Sequence, residues 1–126
     1  MNGGAVHGPV RVWLRLEGLV AFLVTTYLYA NEGGSWLLFG ALFFAPDISF
    51  AGYLAGPRLG AVIYNVAHSY VGPLALAAAF FMSGSIGLPL ALVWGAHVGF
   101  DRALGYGLKY PTAFRDTHLG RIGQRP

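Results

Sequence analysis

No cysteine occurs anywhere in the chain, so neither a disulfide framework nor a thiolate metal site is open to it. Charge is scarce too. Only 10% of the 126 residues are Asp, Glu, Lys or Arg, against roughly 25% in an average soluble domain. A soluble protein of this length has too little charge there to cover its surface, so the bilayer is the expected solvent. A phosphate-binding glycine motif, a nucleophile elbow and a haem-attachment cysteine motif are also missing. The net charge is +3, but the basic residues sit mostly outside the apolar runs. Their placement is a topology signal and argues against a nucleic-acid partner.

What is present is apolar: 56% of residues are hydrophobic and the mean hydropathy is +0.56. Four runs, at about 12–30, 36–55, 59–82 and 86–108, are each close to the ~20 residues a helix needs to cross ~30 Å of hydrocarbon. The tail, 109–126, is polar and basic; a solvated tail is favoured over one that Asp116 and His118 fold back over the pocket mouth. Residues 1–10 read as loose. A secretory signal is rejected for the first run because Glu17 interrupts it and three more runs follow. Pro46 and Asp47 lie near the middle of the second run, where proline removes a donor and kinks a helix. Residues 31–35, 56–58 and 83–85 are turns by composition.

Arg11 and Arg15 open the first run, Arg58 lies between the second and third, and Lys109, Arg115, Arg121 and Arg125 follow the fourth. The other two loops have no Lys or Arg. By the positive-inside rule both termini and the middle loop are cytoplasmic. The expected fold is therefore all-α: an integral membrane four-helix bundle, N-in/C-in, forming a single transmembrane domain over 1–126. Gly and Ala on helix faces, such as Gly95 and Gly99, suit close packing or a homo-oligomer.

Ionisable residues inside such runs are expensive, and so are functional candidates. At ~1.5 Å per residue, Glu17 lies roughly 8 Å from the cytoplasmic end, Asp47 ~12 Å, Asn65 ~9 Å, His68 ~14 Å, His97 ~16 Å and Asp101 ~10 Å. Every helix thus puts a polar residue in the cytoplasmic half. His97 and Asp101 share a helix face, as do Tyr64, Asn65 and His68. The expectation is a cytoplasm-facing pocket, with Glu17, Asp47 and Arg102 as catalytic candidates and Tyr64, Asn65 and Tyr106 lining it.

His68, His97, Asp101 and Asp47 are a ligand set for a divalent metal such as zinc, which would support hydrolysis of an amphiphilic substrate. Two readings compete with it. One is a proton relay or small transporter. The other is an assembly component whose Asp47, Asp101 and Arg102 form a structural network. Polar glue between membrane helices contributes only ~0.6 kcal/mol on average, against ~2.5–3.5 kcal/mol to insert a central charge. Membrane lipid is the expected partner in any of these.

The segments LEG (16–18), FAPD (44–47), GY (52–53), GPR (56–58), YN..H (64–68), H.GFDRALGYGLKY (97–110) and DTHLGRIG (116–123) resemble the bacterial membrane family called domain of unknown function 4260. The resemblance covers nearly the whole chain. It implies a small multi-pass protein of the bacterial cytoplasmic membrane and brings no activity or catalytic residue with it. In ligand style the chain also resembles intramembrane metal hydrolases, as an analogy only.

Overall fold

The computed structural model describes residues 4–83 and 87–123. Gly84, Ser85 and Ile86, where a turn and the start of the last run were expected, lie outside the described residues, as does Arg125. The described chain is all-helical: α1 (Gly8–Asn31), α2 (Trp36–Phe43), a 3-10 helix (Ala45–Ala55), α3 (Pro57–Ala67), α4 (Val71–Ser83) and α5 (Gly87–Leu104).

Helix α1 begins earlier than the hydropathy suggests, because Pro9 occupies its first turn, where a missing amide costs nothing. Its 24 residues reach about 36 Å. Val20, Leu23, Val24, Tyr27 and Leu28 stay exposed along it. Its end is tied down by Tyr29, whose hydroxyl donates to the Ser35 carbonyl at 2.6 Å. The Ser35 hydroxyl in turn caps α2 by accepting from the Leu38 amide.

The two middle runs are not continuous α-helices. After Pro46 the second run tightens into 11 residues of 3-10 helix, far beyond the usual three or four. The third run breaks at 68–70, and its halves are bent by 43°. Pro73 accounts for that break: it has no amide for the Ser69 carbonyl, and its ring crowds the preceding turn. Two carbonyls released near the break find side-chain donors from α5. Trp94 Nε1 donates to Ala67 O at 2.6 Å, and Arg102 Nη2 donates to His68 O at 2.6 Å.

Helix α5 is the buried centre, with 91–93 and 95–99 all inaccessible. It packs antiparallel to α1 on one side and against α4 on another. The α1 contact is close because it is glycine on glycine. A Cβ on Gly99 would lie 2.6 Å from the Gly18 carbonyl oxygen and from the Phe22 amide nitrogen. Gly95 faces Thr25 of the same helix. The small-residue stripe Gly95/Gly99 is thus used inside the chain.

The stretches Gly8–Asn31 and Trp36–Ala55 are long and apolar enough to cross a membrane, and the bent pair Pro57–Ala67 with Val71–Phe81 makes a third if it counts as one span. Helix α5 is not among them.

The tail corrects the solvated reading. Residues 105–123 turn back over the end of the bundle, with Thr117 and Leu119 fully buried. The Val6 amide donates to His118 O at 2.8 Å, Arg11 Nε to Leu119 O at 2.6 Å, and Lys109 pairs with Thr117 in an isolated antiparallel bridge. Gly105 and Gly120 supply the positive φ that the reversals need. The described start of the chain is therefore held as well, since Val6 and Gly4 bond to this returning segment.

Candidate metal centre

The 3-10 helix and α3 run side by side with matched spacing. A 3-10 turn repeats every three residues at ~2.0 Å rise, and four residues of α-helix rise the same ~6 Å. Asp47, Phe50 and Tyr53 therefore form rungs opposite His68, Tyr64 and Gly60. Each rung is occupied. Asp47 Oδ1 meets His68 Nε2 at 3.0 Å, and the Phe50 and Tyr64 rings stack nearly parallel at 5.6 Å. A Cβ on Gly60 would fall on the Tyr53 ring. Tyr64 also stacks on the His68 ring at 3.8 Å, which fixes that imidazole in its plane.

Helix α5 supplies the other half. His97 and Asp101, one turn apart, bring Nε2 and Oδ2 to 3.3 Å. Across the helices, His97 Nε2 lies 3.4 Å from Asp47 Oδ1 and His68 Nε2 lies 3.7 Å from Asp101 Oδ2. One ligand atom from each of the four residues falls within 4.8 Å of all the others. His68 is 0% and His97 2% exposed, while the Asp47 side chain keeps 35%.

The hydrogen bonding at the edge of the cluster says what the inner atoms carry. His68 Nδ1 lies 3.1 Å from the Tyr64 carbonyl, a group that only accepts, with the Ser49 hydroxyl at 3.4 Å. An Nδ1 proton donated to that carbonyl leaves Nε2 to face the two carboxylate oxygens. Metal-binding histidines are oriented in this way. His97 goes further: neither of its buried ring nitrogens makes an aligned hydrogen bond, although Asp101 and the Phe43 backbone lie beside the ring. Its contacts to the carboxylates are short but not aligned as hydrogen bonds. Four lone pairs converging on one point require a cation or shared protons between them. Zinc bonds of about 2.0–2.2 Å would set tetrahedral donors about 3.3–3.6 Å apart. Four of the six separations, 3.0, 3.3, 3.4 and 3.7 Å, bracket that edge, and all six stay within 4.8 Å.

The other sequence candidates take different places. Tyr64 belongs to the site through its ring and its carbonyl. Asn65 forms a reciprocal pair with the backbone of Lys109, donating to its carbonyl at 2.9 Å and accepting from its amide at 2.6 Å. Arg102 donates to His68 O and to Tyr106 O, so it braces the helix break and the tail. Tyr106 contributes that carbonyl, and its side chain is 43% exposed. Glu17 is exposed on α1 and is not one of the converging residues. The negative charge of the cluster comes from Asp47 and Asp101 alone.

Sequence reasoning missed Ser49, Phe50 and Phe43, whose ring meets His97 edge-on at 5.2 Å. His118, which the sequence offered with Asp116 as a way to fold the tail back, does so: its Nδ1 accepts from the Leu108 amide at 2.9 Å. Burial and the nearby Arg102 guanidinium hold that imidazole below its usual range. An apolar Leu119 inside an otherwise polar tail was the available signal.

A family model described as Domain of unknown function (DUF4260) matches residues 11–122. The comparisons with curated proteins and with solved structures give no match.

Proposed function

The chain belongs to this DUF4260 family, and we propose that it is a four-span protein of the bacterial cytoplasmic membrane that binds one divalent cation through Asp47, His68, His97 and Asp101. The observation that carries this reading is His97, buried with neither ring nitrogen in an aligned hydrogen bond and with Nε2 beside two carboxylates. Two carboxylates and two neutral imidazoles leave a charge of −2, which a divalent ion cancels. Both termini are cytoplasmic in this proposal. The contacts of Arg11 with Leu119 O and of Arg15 with Ala103 O support it, since they hold the start of α1 beside the end of α5.

The ion would serve hydrolysis of an amphiphilic substrate, lowering the pKa of a bound water and polarising the bond under attack. Four protein donors fill a tetrahedron, as in structural zinc sites. Asp47 is the most exposed of the four, and so the ligand that gives way to water. His68 is held by Tyr64, and His97 and Asp101 by the buried α5, so these three stay in place. A homo-oligomer would have to use faces other than Gly95/Gly99, which α1 covers.

Elemental analysis of protein purified in mild detergent tests the metal. The parent should carry close to one zinc per chain, and His97→Ala and Asp101→Ala should lose it. Losing a group that merely hydrogen-bonds to a metal ligand costs about 10–100-fold in affinity, so deleting a ligand should exceed that. Substoichiometric metal, unchanged in the variants, would leave the proton-sharing network as the better reading.

A further inference from the structure

An apolar cavity of about 320 Å³ lies against the cluster. Pro46, Ala67, Leu76, Leu90, Val93 and Trp94 are among its lining residues, and it is open to the surface rather than enclosed. Its position is tied to the metal site by the chain itself. Pro46 precedes Asp47, and Ala67 precedes His68. On α5, Leu90, Val93, His97 and Asp101 follow one another at helical spacing along one face, so Val93 is one turn, ~5.4 Å, from His97. The apolar cavity is thus lined by the chain neighbours of two cluster residues, Asp47 and His68.

We infer that this cavity holds the hydrocarbon tail of a single-chain amphiphile whose polar head reaches Asp47 and His97; the inference rests on the proposed metal site and names its substrate class. At ~30 Å³ per group, about the share of one water in the liquid, the space takes a segment of about ten methylenes. That is one chain and not two. The volume is at the low end of ordinary ligand pockets, ~300–1,000 Å³. The opening toward the lipid-facing surface lets a tail enter sideways from the bilayer. The Trp94–Ala67 hydrogen bond holds the indole as one wall of the cavity.

The test is photolabelling of the whole chain in lipid nanodiscs with a medium-chain fatty acid carrying a diazirine at its tail end. A two-chain phospholipid with the same diazirine serves as comparator. Fatty-acid labelling should saturate, map to peptides containing Leu76, Leu90 and Val93, and be displaced by unlabelled fatty acid. Leu76→Trp fills the space and should cut labelling by about tenfold, the equivalent of losing nearly two buried methylenes, with zinc content kept. Leu90→Trp is the second filling variant should the first misfold. Labelling that rises in proportion to probe, equal labelling by the two-chain lipid, or filling variants that label like the parent overturns the inference. Saturable labelling in protein that holds no zinc sinks the metal reading alone. Stoichiometric zinc without saturable labelling sinks the tail pocket alone.

Discussion

Lys109 is a cation with 4% of its surface exposed, seated 3.7 Å above the Phe114 ring and 4.7 Å from that of Tyr64. Burial pushes its ammonium down to about 8 from 10.5, and Asp101 only partly opposes the shift. The folded chain therefore gives up this proton before the unfolded chain does. Between about pH 8 and pH 10.5 the unfolded state binds more protons, so this group makes stability rise with pH in that window. Lys109→Met should remove that rise. The thermal midpoint of the parent minus that of the variant, measured in detergent at pH 7, 8.5 and 10, should grow steadily; a constant difference would show that Lys109 does not titrate in the folded state there. At this scale the four clustered residues, Asp47, His68, His97 and Asp101, were legible in the sequence, because ionisable groups in apolar runs are costly. The bracing roles of Asn65 and Arg102 were not. Both depend on backbone groups set free by a helix break and by a returning tail, neither of which a hydropathy pattern records.

The 3-10 helix is the element on which the site turns. Hydropathy located its span and proline marked its irregularity, but a switch of helix type leaves no trace in either signal. The rungs 47/68, 50/64 and 53/60 require that switch, because an α-helical second run would bring Asp47 and Tyr53 closer along the axis than His68 and Gly60 are. An alanine inserted between Ser49 and Phe50 should show this. It keeps the Phe50 and Tyr53 rungs while displacing Asp47 by ~2 Å and ~120° around the axis. Zinc should fall as far as in His97→Ala, with little change in the yield of folded protein. Retention of full zinc would mean that Asp47 is not a necessary ligand. The bent third span was missed for a similar reason: Pro73 was visible, but its effect depends on Trp94 and Arg102 being present to take the released carbonyls.

For the whole molecule, the absence of cysteine makes orientation easy to measure. Single substitutions His7→Cys and Glu32→Cys place one thiol at each end of α1, on exposed residues. A membrane-impermeant thiol reagent applied to intact cells should label the second and not the first, and the reverse pattern would overturn the N-in arrangement. The class of fold, all-helical and apolar, was legible from composition and the length of the apolar runs. The wrapped tail was not, since contacts such as Val6 with His118 join residues more than a hundred positions apart.

The burial of α5 has a consequence for how the protein is made. On the four-span reading, the helix carrying His97, Asp101 and Arg102 is the one that does not qualify as a span by its own apolar content. A segment with three ionisable groups gains little by partitioning from the insertion machinery into lipid alone. It is synthesised after α1, so α1 and its glycine at position 18 are already waiting. Helix α5 then enters the membrane as a partner of α1 and not as an independent segment, and the order of synthesis becomes part of the fold.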